Sequence, residues 1–303
     1  MDLDEYQQRA QETDRVPSGG AGQNEVELMV PFLGLAGEAG GLLTEFKKHL
    51  RDGQAHILFP ERVQEELGDI LWYVANIATK FGLSMSSVAS MNLGKTADRW
   101  SSRQSLRLPF DDGASEEERF PRRFSIELSE VQIDGKTKIR CSMDGVTIGN
   151  DLTDNAYDDD GYRFHDVFHL AYVTYLGWSP VIRKLMERKR RSDPLKDEVE
   201  DGGRAQVVDE AVSALVFEYA RHHLWLDGVD NLDYELLKTV KSLTAHLEVK
   251  MRTMRDWQDA ILHGFRVWRQ IRANSGGTIH IDLDARSMDY TTASTHQLQV
   301  ELQ

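Results

Sequence analysis

Several acidic side chains in the first hundred residues occupy positions where a helix should present an apolar face. Glu66 and Asp69 are three residues apart, which places them about 60° apart around a helix axis and therefore on one face. Tyr73 and Asn76 continue this stripe within a largely apolar stretch. Buried carboxylates require a cation, hydrogen-bond donors or a proton. The stripe therefore predicts a bound partner for these acids.

A second acidic pair, Glu38 and Glu45, lies on the preceding predicted helix, seven residues apart and so also on one face. This helix is rich in glycine, which costs about 1 kcal/mol per residue relative to alanine inside a helix. The glycines predict a close helix approach or space for a bound group; they are Gly34, Gly37, Gly40 and Gly41. Two facing helices that carry carboxylates would form an oxygen cage suited to Mg²⁺ or Mn²⁺. Because Mg²⁺ favours phosphate oxygens as further partners, the cage predicts phosphate chemistry.

Residues 1–100 resemble the MazG-like, all-α nucleoside triphosphate pyrophosphohydrolases. The resemblance rests on LGLAGEAGGLLTEFKKHLRDG, on EELGDILWYVANIATKFGLSMSSVASMNLGKTADRW and on the opening LDEYQQRAQET. The family pattern is ExxE, a spacer and then ExxD, and Glu38, Glu66 and Asp69 match three of its four acids. The second Glu falls on Gly41, which is a departure, and Glu45 lies one turn further along the same face.

The resemblance implies hydrolysis of an NTP or dNTP to a monophosphate and pyrophosphate, with Mg²⁺ (or Mn²⁺) as the cofactor. It implies metal ligation by Glu38, Glu66 and Asp69, with Glu45 as a fourth candidate, and a general base at Glu45 or Glu65. The implied substrate contacts are Lys47, Lys48, Trp72, Asn76, Asn92, Lys95 and Arg99. It further implies a homodimer or homotetramer, with a use in nucleotide-pool cleansing or in nucleotide depletion during stress or phage defence.

Ordinary structural roles compete with these assignments. Glu45 could pair with Lys48 or His49 on a helix surface, and Trp72 fits packing better than base stacking. Loss of one family ligand at Gly41 also leaves open a nucleotide-binding regulator that no longer hydrolyses its ligand. A purely structural oligomerisation protein is a third alternative.

A second cluster lies in the C-terminal half, where GYRFHDVFHLAY places His165 and His169 one helical turn apart beside Asp166. Asp209 and Glu210 lie on another mostly apolar helix. The pair of histidines could chelate a transition metal if a third ligand joined them. They could equally be core histidines bonded to Asp209, Glu210 or a backbone carbonyl. The segment is not a zincin motif, because Asp166 stands where HExxH requires Glu.

The basic run RKLMERKRR, residues 183–191, is typical of a solvated helix face, with anion binding as the alternative. The C-terminal half as a whole resembles the extension that some MazG-like proteins carry. For this half we expect nucleotide sensing or assembly.

Apolar spacing predicts the elements that position these residues, in a mainly α fold. Helices at Leu3–Asp14, Glu25–Leu50, Pro60–Phe81 and Ser84–Trp100 predict an N-terminal four-helix bundle over 1–100, in which Pro31 should kink or shorten the second helix. A polar linker is expected over 101–123. A small β element is expected at about 124–149, with a turn at Asp134-Gly135, and at 278–284. The rest of 124–303 should be a second helical domain, with helices at 162–176, 180–191, 204–226 and 234–273.

Composition narrows the classes of function. The chain has 303 residues and a formal net charge of −14, which argues against a nucleic-acid binder. A single cysteine, Cys141, excludes an intramolecular disulfide or a cysteine-rich zinc site. A polar start and the lack of a long apolar run predict no signal peptide and no membrane association. We therefore expect a cytoplasmic protein.

Overall fold

The computed structural model describes residues 1–15, 25–100 and 109–292. Contacts divide the chain into unit 1, Met1–Ala97, and unit 2, Asp98–Gln303. The first part of the predicted linker, residues 101–108, lies outside the described residues. Within the described ranges, no helix is both long enough and apolar enough to cross a membrane.

Unit 1 is built from the predicted helices. They are α1 (Leu3–Gln11), α2 (Glu25–Asp52), α3 (Phe59–Lys80) and α4 (Met85–Trp100), whose last residues belong to unit 2. Asp2 caps α1 by accepting from the Glu5 amide at 2.8 Å, and Ser84 caps α4 by accepting from the Ser87 amide at 3.1 Å. Helix α2 continues through Pro31, so the predicted shortening there is wrong.

The helices of unit 1 do not enclose a large core. Helix α2 packs along α3, α1 packs on α3, and α4 joins through its first turn, where Gln7 accepts from the Met85 amide. The buried apolar cluster consists of Ala10, Ala75, Ala78 and Met85. Large apolar side chains of α2 and α4 remain exposed, among them Leu43, Leu50, Met91 and Leu93. The four helices are confirmed, but the described residues of unit 1 do not form a closed bundle core.

Unit 2 contains a five-stranded antiparallel sheet in the order β3-β2-β1-β4-β5. Its strands are β1 (Arg123–Ile133), β2 (Lys136–Met143), β3 (Val146–Leu152), β4 (Gly276–Asp282) and β5 (Ser287–Thr291). Asp134 and Gly135 both adopt positive φ, as a tight hairpin turn requires. Pairing of Phe124 with Ile281 confirms that the predicted strand near residue 280 joins the hairpin, whereas β5 was not predicted.

Unit 2 also contains six α-helices, of which α5 and α10 pack against the sheet; they are α5 (Asp166–Leu176), α6 (Pro180–Leu185), α7 (Pro194–Val199), α8 (Gly203–Arg221), α9 (Tyr234–Leu243) and α10 (Met254–Asn274). All eleven residues of α5 are buried, and Phe168 stacks on Phe265 of α10 at a centroid distance of 4.5 Å. The single long helix predicted from 234 to 273 is wrong. Thr253 and Asp256 form a capping box that starts α10 anew.

Residues 109–122 are part of the unit 2 fold and not the polar linker that their composition predicts. Phe120 and Asp111 are each only 2% exposed. The Asp111 carboxylate accepts from the Phe120 amide at 2.8 Å and from the Arg183 guanidinium at 3.0 Å. These bonds, and Arg122 at 3.1 Å, lower the pKa of Asp111 even though its burial opposes that shift.

The basic run does not form the predicted solvated helix face. Helix α6 ends at Leu185, and the side chains of Arg183 and Arg190 are buried. Arg190 donates to Asp201 and to Glu248, each at 2.7 Å. The sequence predicts an exposed face here because the acidic partners of these arginines lie on distant segments and cannot be recognised from the run itself.

Candidate functional site

The contact between α2 and α3 depends on two glycines that lie seven residues apart. A Cβ atom on Gly34 would overlap the ring of Tyr73, and a Cβ atom on Gly41 would overlap the carboxylate of Glu66. Gly41, the departure from the family pattern, is therefore the position on α2 over which the Glu66 carboxylate lies.

Glu66 is the electrostatic focus of unit 1. Desolvation raises the pKa of Glu66, and the negative charges of Glu38, Asp69, Glu45 and Glu65 raise it further. Its Oε2 atom is buried and has no hydrogen-bond partner in the part of the chain that the structure describes. The four neighbouring acids were singled out from sequence, and the negative charge of each is near enough to Glu66 to raise its pKa. An added cation would relieve this repulsion.

Glu45 lies in the same acidic region but is paired. Its Oε1 accepts from Lys48 Nζ at 2.5 Å, and its Oε2 lies 3.4 Å from His56 Nε2. The hydrogen bond from Lys48 lowers the pKa of Glu45, and the carboxylate is 8% exposed. Of the two alternative pairings that the sequence offered, the one with Lys48 is present, and His56 is a further neighbour of Glu45.

The remaining acidic and basic candidates near this cluster are more exposed. Glu65 is exposed and pairs with Arg62 at 2.7 Å. Asp69 and Lys47 are exposed, and Glu38 is half-buried.

Trp72 and Asn76 line a pocket at the other end of the α3 stripe. Trp72 Nε1 donates to Thr13 Oγ1 at 2.8 Å, and its ring contacts Tyr73 edge-on. The buried Asn76 accepts from Gln11 at 2.8 Å and donates to the Trp72 carbonyl. The pocket has a volume of about 160 Å³ and is also lined by residues 13–15, which follow α1, and by Val30 and Pro31 of α2. Trp72 thus packs in the fold, as its simpler interpretation predicts, and still borders the pocket.

The three substrate candidates on α4 do not act as one group. Asn92 and Lys95 are exposed. Arg99 belongs to unit 2, where it donates to the Leu232 carbonyl at 3.1 Å and lies over the Trp100 ring at 4.6 Å.

The second cluster is more tightly assembled. His165, Asp166 and His169 each offer a ligand atom, and these atoms lie within 4.8 Å of one another. Among the described residues, no other group of three or more His, Cys, Asp or Glu side chains brings its ligand atoms this close together. The described acids of unit 1 do not meet this distance. Glu210 completes the group, with its Oε2 atom 3.3 Å from His169 Nε2 and 4.0 Å from His165 Nε2.

The Nδ1 atoms of both histidine rings are hydrogen-bonded to other residues of unit 2. His165 Nδ1 donates to the Tyr162 carbonyl at 2.9 Å, and the two rings stack. His169 Nδ1 donates at 2.7 Å to Asp209, which also accepts from Ser179 Oγ at 2.6 Å. The expectation that the histidines bond to Asp209, to Glu210 or to a carbonyl is therefore met.

The carboxylates around His169 determine its charge in the metal-free chain. Complete burial alone favours the neutral ring, but Asp209 and Glu210 outweigh this effect and raise the pKa of His169 to about 10. The nearby His169 ring in turn lowers the pKa of Glu210.

A family model described as the MazG C-terminal domain matches residues 105–294, which is more than half of the chain. The chain belongs to the MazG C-terminal domain family. The matched region of this MazG C-terminal domain contains all five strands and helices α5–α10, and therefore the whole second cluster. The match does not extend to residues 1–100, on which the sequence resemblance rests.

One curated relative is similar to a third of the chain. It is the Gene 37 protein of Mycobacterium phage L5, which is 38% identical over 101 residues, or 33% of this chain and 89% of that protein. No solved structure matches.

Sequence reasoning missed three residues that support the two clusters. His56 pairs with Glu45 in unit 1, whereas Tyr162 and Ser179 hold His165 and Asp209 in the MazG C-terminal domain. Ser179 could have been found, because Ser followed by Pro180 is a common start of a helix, and Ser179 caps α6. His56 carries no such local signal.

Proposed function

We propose that unit 1 hydrolyses nucleoside or deoxynucleoside triphosphates to the monophosphate and pyrophosphate, with Mg²⁺ or Mn²⁺ as cofactor. Membership of the MazG C-terminal domain family and the resemblance of residues 1–100 support this reaction class. The observation that carries the proposal is the carboxylate of Glu66 above Gly41, surrounded by further acids.

The donor set fits Mg²⁺ in chemistry and charge. It consists of carboxylate oxygens, which hard divalent cations prefer. Glu66 has a buried oxygen without a hydrogen-bond partner among the described residues, and its neighbours raise its pKa. A cation bound here would favour the ionised form of Glu66 and offset the mutual repulsion of the acids.

We propose that Glu38, Glu66 and Asp69 bind the cation. When bound, Mg²⁺ would screen the phosphate oxygens and make water a better nucleophile. Gly41 leaves the space in which the Glu66 carboxylate lies. This space explains why a residue with a side chain is absent from a position where the family pattern has Glu.

Glu45 receives a positioning role in this proposal. Its two oxygens engage Lys48 and His56, so it holds Lys48 at the edge of the acidic cluster. Lys48 then supplies positive charge for a polyphosphate, with Lys47 and Lys95 as further contacts. Glu65 is the candidate for the general base, which requires release of its surface pair with Arg62.

The nucleoside would occupy the pocket bordered by Trp72, Tyr73 and Asn76. These residues share the α3 face that carries Glu66 and Asp69, so a nucleotide lying along this face could span both ends. The volume of about 160 Å³ suits a group of the size of one base ring system more than a whole nucleotide.

We further propose that unit 1 forms a homodimer or homotetramer. Its described core is small, while Leu43 and Met91 are 69% and 73% exposed. An excess of large exposed apolar side chains over a small buried core favours burial against a second copy. In light scattering, Leu43→Lys should reduce the mass to that of one chain, whereas Leu195→Lys, at a 70% exposed position of unit 2, should not.

The reaction is tested by product analysis. The full chain is incubated with each NTP and dNTP plus Mg²⁺ or Mn²⁺, and nucleotide products and pyrophosphate are quantified. We expect equal amounts of monophosphate and pyrophosphate, and a loss of at least about 100-fold in Glu66→Gln, which corresponds to about 2.7 kcal/mol of transition-state stabilisation.

The matched control is Glu61→Gln, the same substitution at an exposed position in the first turn of α3. It should retain wild-type turnover. Diphosphate plus phosphate as products would contradict the proposed cleavage site. Nucleotide binding without any product would instead favour a regulator with a degenerate site at Gly41. The products also separate the two proposed uses, since nucleotide-pool cleansing predicts selectivity for non-standard bases and nucleotide depletion predicts turnover of the common ones.

A further inference from the structure

The His165–His169 cluster has the arrangement of a metal site in a region for which the proposed reaction has no use. His165 directly precedes α5, Asp166 and His169 lie in the first turn of that helix, and Glu210 comes from α8. The first three present ligand atoms within 4.8 Å of one another, and all three side chains are buried. Burial at this depth separates them from an ordinary cluster of surface acids.

The hydrogen bonds of the two rings fix which nitrogen is available. A carbonyl oxygen can only accept, so His165 Nδ1 carries the proton that it donates to Tyr162, and Nε2 presents its lone pair when the ring is neutral. Asp209 fixes His169 in the same way through Nδ1. A carboxylate or carbonyl behind each imidazole is the usual outer support of a histidine metal ligand.

His169 Nε2 is the strongest single indication of a bound ion. The side chain is 0% exposed, yet Nε2 makes no aligned hydrogen bond within the described parts of the chain. Its neighbour at 3.3 Å is Glu210 Oε2, which approaches without hydrogen-bond alignment. A buried ring nitrogen that faces two carboxylates and a second imidazole suits a cation between them.

We propose that unit 2 binds one divalent transition-metal ion through His165 Nε2, His169 Nε2 and the Asp166 carboxylate, with Glu210 as the fourth ligand. Two imidazole nitrogens and two carboxylates favour Zn²⁺, Mn²⁺ or Fe²⁺ over Mg²⁺, which prefers oxygen donors alone. The proposed donor set, which includes two imidazole nitrogens, therefore differs from the all-carboxylate donor set assigned to the cation of unit 1.

Glu210 supplies the route by which the ion enters. Its side chain is 47% exposed, whereas His165 and Asp166 are each 11% exposed and His169 is not exposed at all. An ion could bind first to Glu210 and then to the buried nitrogens. Because Glu210 reaches solvent, exchange of this ligand for water would give the open position that hydrolytic metal sites have.

The test is a metal titration of the full chain after treatment with a chelator. Zn²⁺ binding is measured by calorimetry and Co²⁺ binding by visible absorption, for wild type and for His165→Gln. We expect wild type to bind one equivalent more than His165→Gln. Equal stoichiometry in the two proteins would overturn the proposal.

Two substitutions on α8 form the matched comparison. Glu210→Gln should weaken the tight Zn²⁺ equivalent at least about tenfold, whereas Glu218→Gln, two turns along and paired at the surface with Arg221, should leave it unchanged. Circular dichroism of each variant confirms that it is folded. Neither variant should change pyrophosphate release by unit 1.

Nitrogen-15 NMR of the histidine rings gives an independent readout on wild type. At saturating Zn²⁺, the His169 ring should be singly protonated at Nδ1. A ring that keeps protons on both nitrogens would show that Asp209 and Glu210 hold an imidazolium and no metal, which overturns the proposal.

Discussion

The two acidic clusters of this chain are assembled by different means. In unit 1 the carboxylates come from two helices that approach through Gly34 and Gly41, and many apolar side chains of those helices remain exposed. In unit 2, His169 lies on α5, whose eleven residues are all buried, and His165 directly precedes that helix. Outer hydrogen bonds from Tyr162 and Asp209 fix the rings.

The difference indicates how each site would respond to change. A cluster formed by helix approach should respond to side-chain volume at the contact between helices. A cluster held by a hydrogen-bonded layer in a packed core should respond to loss of that layer and to the stability of the core. The predictions that follow separate these two behaviours, beginning with the largest effect.

Loss of the buried guanidinium of Arg190 should lower the stability of unit 2 by more than any of the other substitutions below changes stability or metal affinity. Arg190→Met removes the partner of the buried Asp201 and of the partly buried Glu248. Breaking a buried ion pair from one side costs about 3–5 kcal/mol. Chemical denaturation should show this loss, while Lys184→Met, at an exposed position of α6, should change the free energy of unfolding by less than about 0.5 kcal/mol. Equal effects would mean that the buried network does not support the core.

Weakening the hydrogen bond between Asp209 and His169 should weaken the proposed metal site of unit 2 without removing a ligand. Asp209→Asn keeps the shape of the side chain but removes the charge behind His169. Outer partners of this kind contribute about 10–100-fold to metal affinity. Competition with a chromophoric chelator measures the change in metal affinity. Unaltered metal affinity in a folded Asp209→Asn variant would show that Asp209 does not position His169.

Volume at the helix contact should affect the stability of unit 1 in opposite directions at two nearby glycines. Gly37→Ala meets no atom within 4 Å and should stabilise the helix by up to about 1 kcal/mol. Gly34→Ala would press on the Tyr73 ring and should cost about 1 kcal/mol. Thermal unfolding of the two variants provides the check, and stabilisation of both would show that α2 and α3 can move apart at Gly34.

The sequence predicts the helices of unit 1 closely because their signals are local. Apolar spacing, Pro60 and Ser84 mark their positions, and Asp134-Gly135 likewise marks the hairpin of unit 2. Helical periodicity placed Glu38 with Glu45 and Glu66 with Asp69, whereas Glu65 was assigned through the family resemblance.

The parts that sequence did not reveal depend on contacts between distant residues. Arg190 reads as surface until its partners are seen 11 and 58 residues away. The break between α9 and α10 lies within a continuous apolar seam, where only the Thr253–Asp256 capping box signals it. The space above Gly41 follows from the approach of α3, which the pattern of a single helix cannot show.

The central claim is that Gly41 makes room for the carboxylate on which turnover by unit 1 depends. The most direct test is the rate of pyrophosphate release by Gly41→Ala and Gly40→Ala, neighbouring substitutions of which only the first would meet Glu66. The end of the Glu66 side chain can rotate away, so both variants should fold. We predict that Gly41→Ala is at least about tenfold slower than wild type, equivalent to about 1.4 kcal/mol, and that Gly40→Ala keeps the wild-type rate. Equal rates in the two variants, or no pyrophosphate from wild type, would contradict the account.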